Sequence, residues 1–158
     1  MAASKGLFFS KDELKFLSAL SGSGIEFMIV GLSAATLQGA PVVTQDIDLW
    51  FKELPNKDLE KILKKFGASY IPPVMQRPPL LIGETIKLFD IVMHMHGLQD
   101  FDCEKENVIT IDVDGKPLPV LSLERIIARK EALNREKDRL VLPVLRDTLV
   151  VKKSLETS

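Results

Sequence analysis

The chain has 158 residues, 46% hydrophobic and 27% charged, with a formal charge of −1. That balance is the composition of one soluble globular domain with a sizeable core, and so weak a net charge excludes a strong overall field for gathering nucleic acid. A single cysteine, Cys103, excludes an internal disulfide framework and a thiolate zinc site, while the lack of a basic start with a long apolar run at Met1–Leu7 and of any apolar stretch near the roughly 18 residues of a span leads us to expect a cytoplasmic protein, with no export signal or membrane partner.

Ser10 with Glu13 three residues on is a capping box, and Leu14, Phe16, Leu17 and Leu20 supply the apolar face of a helix from Ser10 to about Leu20. After a Gly/Ser turn, Ile25–Val30 reads as a short buried strand closed by Gly31, followed by a short helix over Ser33–Leu37 that Gly39 and Pro41 stop. Asp46–Phe51 alternates acidic and apolar residues at period two before Pro55, as a strand with its carboxylates on one face does. Asn56 caps a helix to about Phe66, and Ala68–Ile71 is a short strand. Pro72, Pro73, Pro78 and Pro79 around Arg77 then force an extended loop. Thr85–Met95 is a third strand, Val108–Val113 and Leu118–Leu121 flank the hairpin turn Asp114-Gly115, and two helices close the chain, Ser122 to Leu133 and Glu136 to about Leu149. The fold class is therefore α/β (α+β) with a mixed sheet flanked by helices. We expect a single domain over residues 1–158, its core about 25–121 and its closing helices about 122–150.

Asp-x-Asp occurs three times, at Asp46/Asp48, Asp100/Asp102 and Asp112/Asp114, so spacing alone decides nothing. A hairpin explains the last pair and a polar loop with Glu104 and Glu106 the middle one. Asp46 and Asp48 differ because Ile47, Leu49, Trp50 and Phe51 surround them, and a carboxylate in mostly apolar surroundings is costly unless paired, hydrogen-bonded or metal-bound. Two apart on a strand, they point the same way, about 6 to 7 Å along the chain. Asp90 repeats the oddity within Ile86–Met93, and if the two strands are neighbours a three-carboxylate cluster forms. Oxygen-only ligands favour Mg²⁺ or Mn²⁺ over zinc, and three such acids repel one another without a cation. His94 and His96 fall in register with Asp90 if its strand continues, and a His-x-His pair raises a second reading, a zinc metallohydrolase.

These residues resemble the nucleotidyltransferase superfamily with its DNA polymerase β-like catalytic fold, in particular its small bacterial, toxin-antitoxin-type branch. The similar segments are Ile29-Val30-Gly31-Leu32-Ser33-Ala34-Ala35, Gly39-Ala40-Pro41, Thr44-Gln45-Asp46-Ile47-Asp48-Leu49 and Phe89-Asp90-Ile91-Val92. Leu121-Ser122-Leu123-Glu124 with Lys130, Arg135, Lys137 and Asp138 is similar to a helical region of related small members. The resemblance implies transfer of a nucleoside monophosphate from an NTP such as ATP to an acceptor hydroxyl, with release of pyrophosphate. Asp46 and Asp48 would hold one metal, joined by Asp90 for the second, and Asp90 could also receive the proton. Gly31, Ser33, Lys130 and Arg135 are the implied nucleotide-binding residues. Leu32 stands where the family usually has Gly or Ser, which leaves phosphate contacts to Gly31, Ser33 and backbone amides. Gln38 and Val42 occupy positions where His and Arg would be expected. The acceptor, whether a protein hydroxyl, a tRNA end or a small molecule, is not read from these motifs. Ten Lys/Arg against five Asp/Glu between Lys116 and Lys153 keep tRNA among the candidates. The competing reading is a catalytically degenerate nucleotide- or partner-binding module of antitoxin-like type, which Leu32 and Val42 favour and the intact acids oppose.

Overall fold

A computed structural model describes residues 9–157; Met1–Leu7, on which the expectation of no export signal rests, lie outside the described residues. Helix α1 (Lys11–Gly22) starts as the capping box predicts: Ser10 Oγ accepts from the Glu13 amide at 3.0 Å, and Glu13 Oε1 accepts from the Ser10 amide at 2.7 Å. Strand β1 (Phe27–Val30) is buried along its whole length and turns directly into α2 (Gly31–Leu37). β2 (Ile47–Phe51) is followed by α3 (Lys57–Lys65), whose first turn is held by Asn56 Oδ1 accepting from the Leu59 amide at 3.0 Å. β3 (Ser69–Ile71) and β4 (Leu80–Ile82) pair antiparallel around the proline-rich segment as a separate ribbon. β5 (Phe89–Val92), the single-turn α4 (Phe101–Glu104), the hairpin β6 (Val108–Val113) and β7 (Lys116–Leu121), then α5 (Leu123–Leu133) and α6 (Glu136–Glu156) complete the described chain.

Among the described residues the main sheet has the order β5-β2-β1-β7-β6. β1 runs antiparallel to β2 and parallel to β7, while β2 and β5 are parallel. The sheet is therefore mixed, as expected. Alternation along the strands sorts the two faces. Phe89, in register with Ile47, meets Phe16 of α1 at 5.3 Å between ring centroids, whereas Trp50 meets Phe101 of α4 at 5.5 Å. Residues of the Ile47–Leu49–Phe51 set thus face α1, and those of the Asp48–Trp50 set face the other way.

β4 and the single-turn α4 go beyond the expected elements, and two expected elements differ in extent. The strand predicted over Thr85–Met95 is confined to Phe89–Val92, because Glu84–Ile86 forms a 3₁₀ turn that packs against α1 and buries Ile86 fully. An apolar run can be buried by turning inward as well as by pairing in a sheet, and periodicity does not separate the two. Helix α6, predicted to end near Leu149, continues to Glu156. There Lys152 anchors its last turns, donating from Nζ to Gln38 Oε1 at 2.8 Å. Pro143 sits in the third turn of α6 and gives up one backbone bond without ending the helix.

Candidate active site

Parallel pairing of β2 and β5 puts Asp48 directly beside Asp90. Both side chains leave the sheet on the face opposite α1. Asp46 precedes β2 by one residue, in a segment pinned by Thr44 Oγ1, which donates to the Asp46 carbonyl at 3.0 Å. The three predicted carboxylates are thus brought to one end of adjacent strands. They are wetter than their apolar neighbours in sequence suggest: Asp48 is half-buried, while Asp46 and Asp90 are exposed. The reason is topological, since β5 is the sheet's edge strand and leaves Asp90 open on its outer side.

The turn between β1 and α2 is built around Asp48. Gly31 has φ +69°, and a Cβ placed on it would lie 2.5 Å from Asp48 Oδ2. Both the left-handed backbone and the close approach of the carboxylate require glycine there. Ser33 is fully buried; its Oγ donates to the Val30 carbonyl at 2.8 Å and accepts from the Asp48 amide at 3.3 Å. Its hydroxyl therefore ties β2 to the turn instead of facing outward to a phosphate. Gln38, found where the resemblance leads one to expect His, is also buried and structural. Its Nε2 donates to the carbonyls of Ala34 and Leu121 at 3.1 and 2.8 Å, and its Oε1 accepts from the Leu123 amide at 3.0 Å.

Crowding of the acids is visible in their protonation. Burial, then the charges of Asp90 and Asp46, push the Asp48 carboxyl up to about 6, against partial relief from Arg129 and Lys130. Asp90 is raised by burial and by Asp46. The mutual repulsion of the facing pair falls on Asp48, the more buried member, because in a coupled pair the less solvated acid is the one that keeps its proton. Among the described residues no three His, Cys, Asp or Glu side chains are gathered tightly enough to hold a metal ion, so the carboxylates must turn toward one another to share one. The donor set still fits a hard divalent cation: it is oxygen-only, it faces solvent, and its repulsion is of the kind such a charge relieves.

Two cations of α5, Arg129 and Lys130, act on Asp48, and Arg135 at the start of α6 adjoins them. Lys130 is buried, with its Nζ 3.3 Å from Asp138 Oδ1, and burial lowers its pKa against the pull of Asp138. Arg135, at the N-cap of α6, forks onto the same carboxylate: Nε donates to Oδ2 at 2.7 Å and Nη2 to Oδ1 at 3.1 Å. The Arg135 amide adds a third bond to Asp138 at 3.0 Å. Fully buried Asp138 is held well below the usual carboxylate range by these Arg135 bonds first and by Lys130 as well. Of the two predicted cations, Lys130 acts on Asp48, and both Lys130 and Arg135 are already bonded to Asp138.

Arg129 was not singled out by the sequence. It is half-buried on α5, its charge is felt by Asp48, and its Nε is buried with no hydrogen-bond partner. The signal available in the sequence was its place three residues after Ile126, at the border of the helix's buried stripe. The loop after β5 packs against this turn of α5, for a Cβ on Gly97 would come within 2.6 Å of Ala132 Cβ and 3.8 Å of Arg129 Cα.

Elsewhere the expectations sort cleanly. β5 ends at Val92, so His94 and His96 leave the register of Asp90; their rings stack edge-on at 4.7 Å on an exposed loop, and among the described residues no third ligand joins them. Asp100 Oδ1 accepts from the Cys103 amide at 3.0 Å to cap α4, and Asp112 Oδ1 accepts from the Gly115 amide at 2.7 Å in the hairpin turn. Both of these Asp-x-Asp pairs are structural. Lys87 pairs with Glu84 at 2.8 Å on the surface. No helix among the described residues is long and apolar enough to cross a membrane.

No protein-family model and no curated protein matches this chain. Solved structures do. ANT(2″)-Ia in complex with adenylyl-2″-tobramycin is similar over 90% of this chain and 94% of its own, with a TM-score of 0.56 and 16% identity. A Thermotoga maritima protein assigned as a nucleotidyltransferase is similar over 91% and 90%, with a TM-score of 0.55 and 22% identity. An antigenic nucleotidyltransferase-like protein from Paracoccidioides brasiliensis covers 90% of this chain and 78% of its own, at 0.56 and 17%. The chain has the nucleotidyltransferase fold.

Proposed function

We propose that this protein is a metal-dependent nucleotidyltransferase that moves a nucleoside monophosphate from an NTP to an acceptor hydroxyl. One observation carries the reading: Asp48 and Asp90 stand in cross-strand register beside Asp46, against a glycine turn that the Asp48 carboxylate closely approaches. Asp46, Asp48 and Asp90 are the residues that would hold Mg²⁺ or Mn²⁺, which supplies charge neutralisation at the triphosphate. In the transfer, the acceptor oxygen bonds to the α-phosphorus, the bond from that phosphorus to the β-bridging oxygen breaks, and pyrophosphate leaves. The proton of the acceptor hydroxyl goes to Asp90, whose raised pKa and exposed position suit a base. Gly31 keeps the turn close to Asp48, and Ser33 fixes β2 on that turn. Lys130 and Arg135, braced by Asp138, give the nucleotide side its positive potential.

The acceptor class is drawn first from ANT(2″)-Ia, whose complex holds an adenylylated aminoglycoside, so a small polyhydroxylated molecule precedes a protein hydroxyl or a tRNA end in order of test. A second reading, the nucleotide- or partner-binding module without turnover, is favoured by Leu32 and Val42 and by carboxylates that stand apart. Incubation with Mg²⁺ or Mn²⁺, each α-labelled NTP, candidate acceptors and cell extract separates the two. Label transfer that disappears in Asp46→Asn/Asp48→Asn supports the enzyme. NTP binding without transfer supports the binding module, and full activity in Asp90→Asn removes that residue's role.

A further inference from the structure

Of the three cations at this helix junction, two are already bonded to Asp138. Arg135 gives its fork and its backbone amide to Asp138, and Lys130 is buried against the same carboxylate. The Arg129 side chain makes no hydrogen bond or ion pair with any described residue. A buried N–H without an acceptor costs roughly 1 to 3 kcal/mol, and a guanidinium remains charged at every physiological pH. Such a group calls for an acceptor, and neither neighbouring carboxylate serves. Asp138 is saturated by Arg135 and Lys130, and Asp48 presents its Oδ2 to the Gly31 turn.

We propose that Arg129 is the direct anion-binding residue of this site, its half-buried fork taking the β- or γ-phosphate of the nucleotide, while Lys130 and Arg135 act through Asp138 to hold the helix junction. The planar guanidinium offers several donors in the geometry of two phosphate oxygens, which the buried Lys130 ammonium does not. Its position fits the ligand's charge. A polyphosphate between Arg129 and the Asp46–Asp48–Asp90 edge would have a guanidinium at one end and metal-binding acids at the other. The Gly97 loop packs on the backbone of this turn of α5, and the Arg129 charge reaches Asp48. The identity of the phosphate carrier rests on the nucleotidyl-transfer reading; the anion site itself does not.

The test is calorimetric titration of wild type, Arg129→Gln and Arg129→Lys with each of the four NTPs, with inorganic pyrophosphate and with adenosine, all in Mg²⁺. Loss of charge and fork in Arg129→Gln is expected to weaken NTP and pyrophosphate binding by about 10- to 100-fold, equivalent to about 1.4 to 2.7 kcal/mol. Arg129→Lys should fall between, and adenosine should not distinguish the three. Because the Arg129 side chain bonds to nothing in the fold, the melting temperature should hold or rise in Arg129→Gln. Should that variant fail to fold, Arg129→Lys carries the test with an expected loss of about fivefold or more. Pyrophosphate affinity unchanged by the substitution overturns the proposal, as does a wild type that binds neither pyrophosphate nor any NTP. Arg129-dependent pyrophosphate binding without binding of any NTP keeps the anion site and removes the nucleotidyl-transfer reading.

Discussion

In metal-free protein, Asp48→Asn is expected to stabilise the fold near pH 7.5 and to leave it unchanged near pH 4. Asp48 titrates at about 6 in the folded chain against 3.8 for an unperturbed aspartate. Its folded pKa is raised, so the favourable linkage is fully present below the unfolded value and is lost as pH rises through 6. Wild type therefore loses stability between about pH 4 and pH 7, and the asparagine variant, which has no proton to release, does not. At about 1.36 kcal/mol per pH unit the gap amounts to about 3 kcal/mol, which solvent screening of a half-buried group reduces to about 2. For a chain of this size that is a difference of about 4 to 8 °C in Tm. Thermal unfolding followed by circular dichroism in EDTA, at intervals between those pH values, reads it directly. Wild-type and Asp48→Asn curves that stay parallel across the range would refute the crowding of Asp48 by burial, Asp90 and Asp46.

Adding Mg²⁺ should raise the wild-type Tm above about pH 6 and have little effect near pH 4, because protons and metal compete for the same oxygens. The Asp46→Asn/Asp48→Asn variant should show no such pH-dependent gain in the same melts. Gly31→Ala is expected to cost about 1 to 3 kcal/mol in urea unfolding from its left-handed backbone. It should also weaken Mg²⁺ binding by about tenfold or more by displacing the Asp48 carboxylate, since a Cβ would sit 2.5 Å from Oδ2. Asp138→Asn leaves Lys130 buried without its counter-charge and replaces with an NH₂ one of the two oxygens that share three Arg135 bonds. Destabilisation of about 3 to 5 kcal/mol follows, measurable by urea titration, and a loss under about 1 kcal/mol would refute the bracing role.

The parts of the fold that were legible in the sequence are those where local chemistry and burial agree. Ser10 and Glu13, Asn56, and Asp114-Gly115 mark their caps and turn by bonds made within four residues. Asp48 was legible because a charge among Trp50, Leu49 and Ile47 contradicts its surroundings, and its partnership with Asp90 required only that two strands be neighbours. Exposure was not legible. Whether Asp90 faces a core or the open side of an edge strand depends on sheet order, which no residue near it encodes. The same limit hid the fate of Ser33 and Lys130. Each is the residue type expected to meet a phosphate, yet each is satisfied by a group far away in sequence or on the next helix, the amide of Asp48 and the carboxylate of Asp138. Arg129 went unread for the converse reason, since an arginine at a stripe border is ordinary until the absence of any partner among the described residues is known.

The departures from the resembling family now take on a physical meaning. Gln38 joins α2 to the β7–α5 junction and to α6 through a donor at Nε2 and an acceptor at Oε1 used together, a task that a residue with both functions on one planar group performs without charge. Val42, in place of an expected arginine, packs its side chain on the core, and its carbonyl accepts from Thr36 Oγ1 at 3.3 Å. The loop before β2 thus contributes apolar packing and no cation at this position. Positive charge near Asp48 comes instead from α5, where Arg129 and Lys130 both act on that carboxylate. The cations acting on Asp48 thus stand on a helix locked by Gln38 and Asp138, and not on the loop before β2. If the site takes a phosphate, as proposed, the helix junction is where the cations nearest Asp48 stand, while Leu32 adds a half-buried apolar side chain to the turn.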